Sequence, residues 1–185
     1  MHRTVRSSKE SWVIGLVVFA ASSDLVLAQT AQLPSRKSGL WEVTVRSAGE
    51  SAMRQQKVLQ CTTEEAEQVM LLAVVPGQEH CHDVKAKRTT EGYEVRTHCY
   101  VHDNRVDASV NFSGDLQIAY RGVFEVTYSK PVRFNPGRTK FEGRWLGPCK
   151  AGQRAGDMVL PNGATVNVVE DRKRAENRGH EDHKH

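Results

Sequence analysis

The chain has no apolar run long enough to cross a membrane as a helix. Its longest, Trp12 to Ala21, spans ten residues, against about 20 for a bilayer-spanning helix. It has no Gly-x-Ser-x-Gly elbow and no glycine-rich phosphate loop, which argues against an α/β-hydrolase nucleophile and a nucleotide cradle. No cysteines stand as Cys-x-x-Cys, so neither a thioredoxin-like redox pair nor a zinc knuckle is indicated. No basic stripe interleaved with aromatics runs along the chain, which argues against nucleic acid as a partner. No spacing of Asp and Glu nominates a catalytic carboxylate pair. Together these absences predict a protein that is not an enzyme and needs no cofactor.

What is present begins with an export pattern. Arg3, Arg6 and Lys9 precede the Trp12–Ala21 run, and Val26-Leu27-Ala28 ends in a small residue before Gln29. A basic start, a short apolar middle and a small-residue exit predict a signal peptide over residues 1–28. No cysteine lies near Ala28 to carry a lipid. Residues 1–28 hold three basic and two acidic side chains, so the remaining 157 residues keep 23 basic and 20 acidic, a net charge of +3. That balance describes a mixed solvated surface on one domain of ordinary size. The expected location is periplasmic or secreted, with no stable membrane insertion.

All four cysteines, Cys61, Cys81, Cys99 and Cys149, follow the signal segment. An even number in an exported chain predicts two disulfides. A hairpin centred near Thr90-Glu91 would bring Cys81 within one residue of a position opposite Cys99, which favours Cys81–Cys99 and leaves Cys61–Cys149. Strict alternation puts these two cysteines on opposite faces, so the pairing requires a bulge or an irregular strand start. Cys61–Cys81 with Cys99–Cys149 is the rival pairing.

The pattern after a flexible leader at 29–38 is mainly β, within the range from all-β to α+β. Leu40 to Arg46 alternates, with Trp41, Val43 and Val45 on one face. Met53 to Gln60 is a weaker strand. Thr62 with Glu65 has capping-box spacing, and Ala66, Val69, Met70 and Ala73 recur at helical spacing. One short helix is therefore predicted near residues 63–73. Tyr93, Val95, Cys99 and Val101 share a face, as do Val106, Ala108, Val110 and Phe112. Gly122 suggests a bulge or bend in the next strand. Phe141, Gly143 and Trp145 fall together, and Asn162-Gly163 marks a last hairpin. Turn signals about every ten residues predict an antiparallel meander curled into a barrel or half-barrel across a single disulfide-stabilised domain, residues 39–169. The tail, residues 170–185, holds five basic and five acidic residues and three histidines, with Ala175 as its only apolar side chain. Such a composition predicts disorder.

Two groups of residues invite a functional reading. His80, His82, His98 and His102 flank Cys81 and Cys99 and share strand parity, so they are candidates for a copper or zinc site. Solvated histidines on the outside of a hairpin are the plainer reading. Gly39-Leu40-Trp41 is similar to the strand entry of lipocalins, whose tryptophan plugs one end of a barrel beneath a late arginine. Arg144, beside Trp145, is the candidate for that arginine.

Several short segments in order resemble a bacterial exported four-cysteine family catalogued as domain of unknown function 3617. They are Gly39-Leu40-Trp41-Glu42-Val43, Gln60-Cys61-Thr62, Phe112-Ser113-Gly114, Gly143 through Cys149, and Gly156-Asp157-Met158 leading to Asn162-Gly163. Ser38 and Ala155 stand where that family's pattern suggests proline. The resemblance implies an envelope location and a β-rich fold, and no activity. The leading expectation is a non-enzymatic binding or interaction module whose partner is a small hydrophobic ligand or an envelope protein. The alternative is a periplasmic metal-binding protein.

Overall fold

The computed structural model describes residues 33–47, 55–75, 77–101, 103–133 and 135–181. The expected signal peptide and residues 29–32 of the leader lie outside them.

Among the described residues, nine strands form one antiparallel sheet. They are β1 (Gly39–Ser47), β2 (Gln56–Thr62), β3 (Cys81–Arg88), β4 (Tyr93–Val101), β5 (Asn104–Asp115), β6 (Ala119–Tyr128), β7 (Thr139–Gly147), β8 (Asp157–Val159) and β9 (Thr165–Asn167). Their spatial order is β3-β4-β5-β6-β7-β1-β2-β8-β9. Strands β3 to β7 are a plain meander, and β1 joins as neighbour to β7. The outer strands β3 and β9 are not neighbours, so the sheet is not closed. The expected curled antiparallel meander is present in its open, half-barrel form rather than as a closed barrel. Helix α2 (Val168–Glu181) touches the 3₁₀ turn Gln78–His80 that leads into β3. Within that contact Arg172 Nη1 donates to the Gln78 carbonyl at 3.2 Å.

The alternation read from the sequence fixes which face is buried. Trp41, Val43, Val95, Val106, Val110, Phe112, Tyr120, Phe124 and Phe141 are all at most 4% exposed and form one cluster. Two cross-strand pairs set an aromatic against a glycine, Tyr120 opposite Gly143 and Phe141 opposite Gly122. The ring lies over the glycine in each pair: a Cβ at Gly143 would fall 2.0 Å from Tyr120 Cε1, and one at Gly122 would fall 2.4 Å from Phe141 Cζ. Register runs unbroken past Gly122, so it marks a close approach rather than a bulge.

The disulfides are Cys81–Cys99 and Cys61–Cys149. Cys81 stands opposite Cys99, and the register shifts between Cys81 and Asp83. That irregularity is what the alternating pattern required of the pairing.

Helix α1 (Glu64–Met70) starts one residue later than the Thr62 spacing suggested. Thr63 is the cap, its hydroxyl accepting from the Ala66 amide. Ala66 and Met70 meet Val168 of α2 in a second, smaller cluster. The expected disordered tail is therefore corrected as far as Glu181, where it forms a second helix. Val168 and Ala175 are buried, Asn167 Oδ1 accepts from the Glu170 amide, and Arg172 pairs with Glu176 one turn on at 2.7 Å. Docking and local pairs offset an unfavourable composition, because most helical stability comes from tertiary packing.

Candidate functional site

The most unusual chemistry of the fold is a charged group in its interior. Arg36 is 2% exposed and Glu67 is fully buried. A lone ionised side chain in a dry interior carries a large desolvation cost. Here every part of the pair finds a partner. Arg36 Nε donates to Glu67 Oε1 at 2.5 Å, and Nη2 donates to Oε2 at 3.1 Å. Nη1 donates to Gln60 Oε1 at 2.9 Å and to the Tyr120 hydroxyl at 2.8 Å. Thr62 Oγ1 donates to the remaining side of the carboxylate at 2.6 Å. The guanidinium also lies against two rings, 5.4 Å from the Trp41 centroid and 5.3 Å from that of Tyr120.

Different elements supply the walls. Strand β2 brings Gln60 and Thr62, with Cys61 between them tied to Cys149. Helix α1 brings Glu67, β1 brings Trp41 and β6 brings Tyr120. The absence of a side chain at Gly143 makes room for the Tyr120 ring. Burial works against charge on Arg36, but Tyr120 and Glu67 together outweigh it and hold its pKa above the ordinary arginine value. Burial pushes the Tyr120 phenol upward, and Glu67 adds to that against the opposing pull of Arg36. Both groups keep their ordinary protonation at neutral pH. The arrangement holds a guanidinium, and none of its atoms lies open to a substrate.

Arg36 reaches this cradle on an extended arm, residues 33–38, so the second half of the expected flexible leader is corrected to a pinned segment. Gln68 Nε2 donates to the Leu33 carbonyl at 3.3 Å from the α1 side. The Lys37 amide donates to the Leu116 carbonyl at 2.9 Å from the β5–β6 turn. Trp41 Nε1 donates to the Lys37 carbonyl at 2.8 Å. Trp145 Nε1 donates to the Ser38 carbonyl at 3.2 Å, and Lys37 Nζ sits 3.6 Å from the Trp145 ring centroid. Gly39 follows at φ 134°, and a Cβ there would fall 2.3 Å from the Gly147 carbonyl oxygen. Gly39, Trp41 and Trp145 thus converge around one feature, the seat of the arm.

Other expectations fare differently. Arg144 does not cover Trp41; it is exposed and donates to Glu42 at 3.3 Å. The arginine against Trp41 is Arg36, which comes before the strand rather than late in the chain. Among the candidate metal ligands, His80 lies 3.8 Å from Glu79 and His98 lies 3.7 Å from Asp83, and His102 lies outside the described residues. Among the described residues no group of three His, Cys, Asp or Glu is placed to hold a metal ion. The inward face of the sheet packs Trp41, Tyr120, Phe124 and Phe141 into one cluster. The hollows of ligand size include one of about 620 Å³ beside Glu42, Arg121, Glu142 and Arg144, and one of about 410 Å³ beside Asn111, Arg121 and Lys140. Both open to solvent on the outward-pointing side of the strands.

Arg36, Gln60, Glu67 and Tyr120 were not singled out from sequence. One signal was there: Glu67 precedes Met70 by three positions and Leu71 by four, which puts a carboxylate on the apolar face of α1.

No curated protein and no solved structure matches the chain. A family model described as protein of unknown function (DUF3617) matches residues 36–149, from the cradle arginine to the cysteine that anchors β2, and the chain belongs to that family.

Proposed function

We infer that the protein is an exported, non-enzymatic interaction module that meets an envelope partner through its surface. The carrying observation is that all four cysteines and the buried ionic group are already spent on internal bonds. Both disulfides consume all four cysteines, as befits an oxidising compartment. The buried ionic group is satisfied internally. With the inner face packed, recognition falls to exposed side chains. At the rim beside the arm, Ile118 is 64% and Leu146 43% exposed, and the Trp145 amide bonds the Ile118 carbonyl. We assign the partner contact to this pair of neighbouring apolar side chains.

Two measurements test the reading. Intact mass of protein recovered from the cell envelope should match a chain beginning at Gln29 with no titratable thiol. A photo-crosslinker at Ile118 or Leu146 should capture one envelope protein, and a crosslinker at the opposite end of the sheet, at the exposed Lys130 beside the β4–β5 turn, should not. Four free thiols, or an unprocessed chain retained in the cytosol, would overturn export. Equal capture from both ends would overturn the surface.

A further inference from the structure

We propose that the cradle of Glu67, Gln60, Tyr120 and Trp41 is a receptor for an arginine side chain on an extended segment, filled in this chain by its own arm. This rests on the reading of the protein as a binding module and names the partner's chemistry.

Three observations carry it. The first is selectivity. Glu67 meets the guanidinium edge with both oxygens, Gln60 and Tyr120 accept from a third nitrogen, and two rings lie against the group. A planar fork of donors fits that set, whereas an ammonium cannot make paired parallel bonds to one carboxylate edge.

The second is independence of the walls from the occupant. The four wall residues belong to β1, β2, α1 and β6, and the Cys61–Cys149 bridge fixes β2 between Gln60 and Thr62. None of the ladders that hold β1, β2 and β6 runs through the arm.

The third is how the arm is attached, through side chains rather than a strand ladder. Residues 33–37 belong to no strand. One backbone-to-backbone bond outside the sheet ladders holds the arm, from Lys37 to Leu116. The rest of its attachment runs through side chains, Arg36 foremost. A second arginine-bearing segment entering between α1 and the β5–β6 turn would find the same bonds that the arm uses.

The test removes the occupant and offers it back. In the processed full-length protein, Arg36→Gly empties the cradle. Ethylguanidinium at millimolar concentration should raise the melting temperature of this variant by several degrees and saturate. Ethylammonium should not, nor should ethylguanidinium act on Arg36→Gly/Glu67→Gln. A blocked, labelled peptide of the arm sequence, residues 33–38, should bind Arg36→Gly at least tenfold more tightly than the same peptide with lysine for arginine. If Arg36→Gly does not fold, the labelled peptide is offered to the unmutated protein, where it should bind saturably by displacing the arm and lose binding with the lysine substitution. Absence of saturable, arginine-dependent binding in whichever of these proteins folds would overturn the proposal. Specific crosslinking at Ile118 alongside that result would leave the surface reading standing.

Discussion

Replacing Arg36 with methionine keeps most of the stem and removes the guanidinium. The variant leaves the Glu67 carboxylate, with no exposed side-chain area, facing two rings without a counter-charge. It also strips four hydrogen bonds, two of which served Gln60 and Tyr120. Breaking a buried pair by removing one partner costs about 3–5 kcal/mol. For a chain of this size each kcal/mol moves the melting temperature by about 2–4 °C, so a fall on the order of 6–20 °C is expected. The double variant Arg36→Met/Glu67→Leu removes both charges together. Its remaining loss is the partners of Gln60 Oε1 and the Tyr120 hydroxyl, each worth about 1 kcal/mol, while the Thr62 hydroxyl keeps the Thr63 carbonyl as acceptor, so the double variant should be more stable than Arg36→Met alone. Urea unfolding followed by tryptophan fluorescence, without reductant, reads both effects. A loss below about 1 kcal/mol for Arg36→Met, or a double variant less stable than either single, would refute the claim that the ion pair organises this interior.

Gly143→Ala should destabilise by about 1–3 kcal/mol, because its Cβ would lie 2.0 Å from the Tyr120 ring; a lower urea midpoint with an unchanged slope checks it. Thr97→Val should be neutral or stabilising, since the buried Thr97 hydroxyl has no hydrogen-bond partner, and thermal unfolding decides the sign. Removing Cys61 and Cys149 together should cost about 4.5 kcal/mol and removing Cys81 and Cys99 about 3 kcal/mol by loop closure, as their separations are 88 and 18 residues; equal losses in urea would contradict the entropic account. Burial opposes the charge on Asp157, but the Arg154 amide, Asn167 and the Arg154 charge outweigh it and lower its pKa. A depressed folded value means that Asp157 stabilises above the ordinary carboxylate pKa, near pH 4, and loses that contribution as pH falls through the folded value. Asp157→Asn should therefore flatten the acid limb of the stability profile below about pH 4 relative to the unmutated protein.

The strands were legible because alternation with a period of two is a direct imprint of a sheet with one dry face. The inward faces of β1, β4 and β5 follow from that rule residue by residue. Even the bulge at the start of β3 was foreshadowed by the parity conflict between Cys81 and Cys99. The arm and α2 were not legible for the same reason: both are polar stretches whose order comes from what they dock against. Pro34-Ser35-Arg36-Lys37-Ser38 has no periodicity, and the place of its arginine is decided by Glu67 and Tyr120, 31 and 84 residues away. Residues 170–181 read as solvated because Ala175 is the lone apolar side chain among them, while Asn167, ahead of the helix, supplies the cap. The lipocalin-like tryptophan pointed to the right neighbourhood and the wrong arginine, because strand entry alone does not say which cation covers it.

The seat of Arg36 also dictates an order of assembly. The arginine leaves the ribosome well before Tyr120, which follows it by 84 residues. Until β6 and its neighbours are laid down, no dry chamber exists in which a guanidinium gains by leaving water. Long-range closures of this sort come late in folding. The arm thus settles only once β6 is in place, and a chain halted before β6 would carry residues 33–38 loose.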